Sequence, residues 1–154
     1  MEGRQTGEGG LAAADAREGL WAKAVPIVIG ALLLMDAVLA GIMLISGQTW
    51  FDLMHGTDHV DPGGYLKRTG ALWLSFAILQ AIAFVRWRDG LHWLMILAGV
   101  RWGDVLSDWT WWAAMDDRTW LAHVLLLATP ANFLLGFFFY RAYFVLRDAR
   151  RERA

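Results

Sequence analysis

The fold class this sequence predicts is all-α: a polytopic membrane protein folded as a bundle of four transmembrane helices. Three observations predict it. Of the 154 residues, 57% are hydrophobic and ten are tryptophan, too apolar and too aromatic for a soluble domain of this length. Four stretches each approach the roughly 20 apolar residues that carry a helix across a hydrocarbon core. Lysine and arginine gather on one side of those stretches, which is the pattern that orients a membrane protein.

Residues 1–22 mix acids, glycines and alanines and lack the basic start, apolar middle and small-residue cleavage site of a signal peptide. They are expected to form a cytoplasmic tail with one or two helical turns near Ala12 to Leu20. A transmembrane domain is expected over 23–146, with spans at about 24–46, 66–86, 91–113 and 120–144. The second is the shortest and extends back through Leu66, its cations reaching outward. Residues 147–154 form a short basic cytoplasmic tail, within reach of anionic lipid and read chiefly as an orientation signal.

Arg4, Arg17 and Lys23 precede the first span, Arg86 and Arg88 occupy the middle connection, and Arg141, Arg147, Arg150, Arg151 and Arg153 lie at or beyond the end of the fourth. The opposite side has only Lys67, Arg68 and Arg118. This bias places both termini and the middle connection in the cytoplasm of a bacterial inner membrane. Aromatic residues fit the same drawing, with Trp50, Phe51, Tyr65, Trp109, Trp111, Trp112 and Trp120 in an outer belt and Trp21, Trp87, Trp93, Tyr140 and Tyr143 in an inner one. A formal net charge of −1 suggests neither nucleic acid nor an acidic partner. The absence of cysteine excludes disulfides, thiolate metal sites and thiol redox chemistry.

Within the apolar stretches a few ionisable groups stand out. Arg101 lies roughly 15 Å along its helix from the cytoplasmic start, and Asp36 roughly 18 Å along its own, nearly the same depth. Asp104 and Asp108 follow Arg101 by three and seven residues and share its side of the third helix. Charges at that depth turn into the bundle and find partners, and Asp36 with Arg101 is the expected pair. Asp108, nearer the outer surface, is within reach of Lys67, Arg68 and His123. Thr69, Trp73, Phe76 and Gln80 mark an interior face of the second span, with Ser75 off that line. Gly99 and Gly103, and on the first span Gly30, Ala37 and Gly41, are spaced for close helix approach. Pro130 is expected to kink the fourth helix and free a carbonyl near Leu126, with Asn132 supplying a polar group at mid-depth.

A second cluster lies in the first outer loop, HGTDHVDPGGY, where His55, Asp58, His59 and Asp61 fall within seven positions. Imidazole and carboxylate are ligands for zinc, copper, manganese or non-haem iron, and His55 and His59 would share a helical face. A solvated loop over the outer mouth of the bundle, with a turn at Asp61-Pro62-Gly63-Gly64, accounts for the same residues without metal. His92 is read as an interfacial residue beside Trp93. His123 either pairs with Asp108, titrates near neutral pH, or ligates a tetrapyrrole.

The stretch from Lys67 to Asp108, with RTGALWL opening the second span and GVRWGDVLSD in the third, resembles the DoxX-like small four-helix bacterial membrane proteins. Arg68, Gly70, Arg101 and Asp108 carry the match, while Asp36 and Asp104 are additions to the pattern. The resemblance implies a small integral membrane protein, in some cases a subunit of a quinone-linked oxidoreductase complex. The lack of cysteine argues against thiol or thiosulfate chemistry.

Two functional readings follow. With many tryptophans and no complete catalytic set, the first is a non-catalytic accessory or assembly subunit of a larger, electron-transfer membrane complex, in contact with lipid and with other membrane subunits or copies of itself. The alternative is a quinone-, lipid- or proton-handling protein that uses a cluster of Asp36, Arg68, Arg101, Asp104, Asp108 and His123. The same charges would also serve simply to fix helix register.

Overall fold

The computed structural model describes residues 5–58, 60, 61, 63–114 and 119–152, with the side chains of 5–17 and 124–128 outside the description. His59 and Pro62, in the connection before Tyr65, Arg118, in the connection before Trp120, and Arg4 and Arg153 near the ends therefore lie outside the described residues. The chain is all-helical, with five described helices: α1 (Gln5–Ile45), α2 (Gly47–Met54), α3 (Tyr65–Arg86), α4 (His92–Ala114) and α5 (Trp120–Glu152). Two stretches, Glu18–Ile45 and Tyr65–Arg86, are long and apolar enough to cross a membrane. In α4 the same test fails because every 18-residue window of it contains Arg101, Asp104 and Asp108.

Both end helices run further than expected. The segment LAAADAREGL is rich in good helix formers, and a helix already nucleated by an apolar span only has to propagate through it. Pro26 and Pro130 are both accommodated inside their helices. The short α2, which the sequence reading did not assign, buries Trp50 and Met54, one helical turn apart. It ends in a Schellman-type turn in which the amide of Gly56, at φ 68°, donates to the carbonyl of Phe51 at 2.8 Å.

The four long helices form a ring in the order α3, α1, α5, α4, each packing on its ring neighbours, so that α1 and α4 face each other across a diagonal. Their pairing is antiparallel: Gly70 at the start of α3 meets Met43 and Leu44 at the end of α1, and Phe84 meets Gly30 further down. On the other side of the ring, Trp102 of α4 stacks near Tyr140 of α5 at 6.1 Å, while Asp108 reaches back to Asn132.

Close approach occurs at glycines other than those expected. A Cβ on Gly70 would lie 2.8 Å from Met43 Cβ and 3.3 Å from the Ala40 carbonyl, and one on Gly136 would collide with the Trp102 indole. Gly99 and Gly103 have open space beside them, as does Gly41. The reason is angular: residues two positions from buried Arg101 point about 200° away from it, to the outside of the bundle.

Two apolar clusters stack along the bundle. Near the termini, Val25, Ile29, Leu94, Leu97, Phe139 and their neighbours are fully packed. At the far end, Met43, Trp50 and Met54 pack with Leu39, Phe51, Leu66, Trp73, Trp111 and Leu121. Thr119 ties that end together: its amide donates to Met54 O at 3.1 Å, its hydroxyl donates to Leu53 O at 2.6 Å, and its Oγ1 accepts from the Ala122 amide at the start of α5.

Gly70→Ala forces α1 and α3 apart at a backbone contact, so it is expected to cost about 1–3 kcal/mol, the range for overpacking. Thermal unfolding followed by circular dichroism in detergent should show a midpoint several degrees lower, whereas Gly99→Ala should leave it unchanged or raise it.

Candidate functional site

Between the two apolar clusters lies a polar layer contributed by all four long helices. Arg101 Nη2 on α4 donates to Asp36 Oδ2 on α1 at 2.6 Å and sits 3.1 Å from Asp104 Oδ2, one turn further along α4. Gln80 Nε2 on α3 donates to the same Asp36 oxygen at 2.5 Å. Arg101, Asp36 and Gln80 are at most 2% exposed, and Asp104 is 8% exposed. Gln80 Oε1 is buried with no hydrogen-bond partner among the described residues. The depth match read from the sequence thus corresponds to a direct ion pair, with Gln80 from the interior stripe of α3 as a third member.

One turn beyond Asp104, Asp108 is half-buried and turned towards α5. Its Oδ2 accepts long hydrogen bonds from Thr129 Oγ1 at 3.4 Å and Asn132 Nδ2 at 3.3 Å. Among the described residues no cation lies within ion-pair distance of it. The expected partners are elsewhere. His123 is exposed, with Nδ1 2.9 Å from Thr119 O and its ring edge-on to Trp112. It precedes Thr129 by six residues, which puts it about 9 Å away along α5 and on another face. Lys67 and Arg68 are exposed as well. Gly70 occupies the α1-facing side of α3, and Arg68, two residues earlier, therefore points outward.

Asp108 also lines a cavity of about 470 Å³ at the α2 end of the bundle. Its walls combine Leu39 and Met43 of α1, Trp50, Phe51 and His55 at α2, Tyr65, Leu66, Thr69 and Trp73 of α3, and Ser107 and Trp111 of α4. Phe51 and His55 are stacked at 4.7 Å, His55 meets Trp111 edge-on at 6.1 Å, and Trp50 lies 6.4 Å from Trp111, so one wall is a continuous run of rings.

Of the four outer-loop residues proposed for metal, His55 belongs to that aromatic wall and Asp58 is exposed. Asp61 caps α3, with Oδ1 accepting from the Tyr65 amide at 2.8 Å and Oδ2 from the Leu66 amide at 2.9 Å. Among the described residues no three His, Asp or Glu side chains are grouped to hold a metal ion. The turn read at Asp61 to Gly64 is present, its closing bond running from the Gly64 amide to Asp61 O at 3.1 Å.

The sequence reading missed the cavity and the joining of Thr129 to Asp108. Thr129 and Asn132 sit three residues apart beside Pro130, a spacing that puts both on one face of α5. Trp50 and Met54 gave the corresponding signal for α2.

No family model, curated protein or solved structure matches this chain.

Arg101→Gln leaves Asp36 and Asp104 buried beside each other without their cation, whereas Asp36→Asn leaves a neutral Arg101 and Asp104 pair. The first should cost about 3–5 kcal/mol, as expected when one partner of a buried ion pair is removed. The second should cost about 1–3 kcal/mol, the loss of a hydrogen bond to a charged group. Denaturant titration of the two purified variants checks the order; equal losses would mean that the charges are not coupled.

Proposed function

We propose that this chain is a four-span integral membrane protein of a bacterial inner membrane, with both termini cytoplasmic, that binds a small amphipathic molecule in the cavity at the outer end of its bundle. The observation that carries the binding role is the aromatic cavity of about 470 Å³ with the Asp108 carboxylate in its wall. That volume is within the ~300–1,000 Å³ range of small-molecule sites, and an apolar lining with few polar groups is their usual chemistry.

The membrane setting is supported by inverted polarity. Ionised groups lie at the centre, while Ile27 and Leu34 of α1, Leu72 and Ile78 of α3, Leu106 of α4, and Phe133, Leu134 and Phe137 of α5 are all more than half exposed. Water would penalise that surface and acyl chains would not. At 22 and 23 residues, α3 and α4 extend about 33–35 Å, enough for a hydrocarbon core of about 30 Å. Placing Arg101, Asp104 and Asp108 on the bundle side removes the objection that α4 is too charged to cross. A four-span form is also what the DoxX-like resemblance implies.

Because the chain has no cysteine, topology is directly testable with single introduced thiols. Thr57→Cys should react with a membrane-impermeant maleimide on intact cells, and Arg151→Cys only after lysis; the reverse pattern would overturn the orientation. For the binding role, mass spectrometry of small molecules extracted from natively purified protein should find one that Ser107→Trp, which fills the cavity, abolishes. Stoichiometric partner proteins with no such molecule would favour the accessory-subunit reading instead.

A further inference from the structure

The cavity has an electrostatic signature beyond its size. Among the described residues its charged or basic lining consists of Asp61, Asp108 and His55, with no lysine or arginine. The two carboxylates differ: both oxygens of Asp61 are taken by backbone amides at the start of α3, and the adjacent helix N-terminus offsets its charge. Among the described residues Asp108 has only the neutral Thr129 and Asn132 at 3.3–3.4 Å, both on one oxygen, while the nearby Arg101 is held by Asp36 and Asp104. The same cavity is lined by Trp50, Trp73, Trp111 and Tyr65, ring types whose faces attract positive charge. A neutral carbonyl compound such as a quinone gains nothing from an ionised carboxylate, and an anion is repelled by it. A bulky, weakly hydrated cation gains from both the rings and Asp108.

Resting on the binding role proposed above, we infer that the occupant is an organic cation of the alkylammonium class, its cationic head between the tryptophan faces and the Asp108 carboxylate, its apolar part against Leu39, Met43 and Leu66. Trp111, one turn after Asp108 on α4, places ring and charge on the same side of the cavity. Both are needed for selectivity, since the rings alone would accept any apolar group of the right size.

The test uses the full chain in uncharged maltoside micelles, with tryptophan fluorescence reporting binding of benzyltrimethylammonium and of neopentylbenzene, its uncharged carbon isostere. The cation should bind at least tenfold more tightly. Asp108→Asn should erase that preference, and Trp111→Leu should weaken cation binding while circular dichroism and elution volume show both variants folded. If Asp108→Asn fails to fold, the same comparison on Trp111→Leu and Trp73→Leu carries the test. Equal binding of the two probes, or a preference that survives Asp108→Asn and both tryptophan variants, would overturn the cation assignment and leave the cavity as a binding site. If neither probe binds, and a short-chain benzoquinone does not bind either, both the assignment and the binding role fall. Displacement of the bound cation by phosphatidylcholine but not phosphatidylglycerol would identify a lipid headgroup as the source of the ammonium; no displacement by either would identify a free cation.

Discussion

The diagonal ion pair between Asp36 and Arg101 is the contact on which the arrangement of the bundle depends. The backbones of α1 and α4 are not ring neighbours, and the guanidinium and carboxylate meet across the interior at 2.6 Å. A buried guanidinium is tolerable only where acceptors surround it, and here two carboxylates do so while Gln80 donates to one of them. That requirement specifies the bundle more sharply than apolar packing can. Leucine and valine faces tolerate rotation and sliding, because one apolar surface serves nearly as well as another. A helix that slid by one turn, about 5.4 Å, would leave an uncompensated charge in the interior.

The polar layer also divides the bundle into two unequal halves. On the terminal side the cluster from Val25 to Leu146 is closed, with Ile29, Leu94 and Phe139 at zero exposure. On the α2 side, space remains between large rings, and Thr119 ties the start of α5 to the end of α2 by hydrogen bonds to Leu53 and Met54. The cavity therefore has Asp108 in its wall and Trp50 and Phe51 of α2 among its lining. Asp108 belongs to both regions, since it continues the charged stripe of α4 and opens into the space beyond.

Much of the interior was legible because helical periodicity and depth are both arithmetic. Arg101, Asp104 and Asp108 repeat at three and seven residues, and Asp36 lies at a matching height on another helix, so their meeting follows from the rise per residue and the high energy of a lone buried charge. Gln80 was legible as part of a stripe with Trp73 and Phe76. What could not be read was the rotation of each helix around its axis relative to its neighbours. Arg68 and His123 lay at plausible heights for Asp108 but point away from it, and Gly99 and Gly103 had the right spacing on the wrong face. The helix α2 was hidden for a different reason: at eight residues it is too short to show a helical repeat beyond the spacing of Trp50 and Met54 on its buried side.

The same physics explains why the ion pair and the cavity carboxylate have different chemical prospects. Arg101 is saturated by Asp36 and Asp104, and a ligand approaching it would first have to break contacts that secure the bundle. Among the described residues Asp108 is held only by long bonds from a hydroxyl and an amide, so a cation placed beside it would gain attraction without breaking an ion pair. In a low-dielectric interior a carboxylate without a counter-charge is costly, and the cost falls when a cation arrives. Neighbouring residues on one helix thus differ in kind: the first two ionisable positions of the α4 stripe, Arg101 and Asp104, are paired inside the bundle, and the third, Asp108, faces the cavity with no counter-charge within ion-pair distance among the described residues.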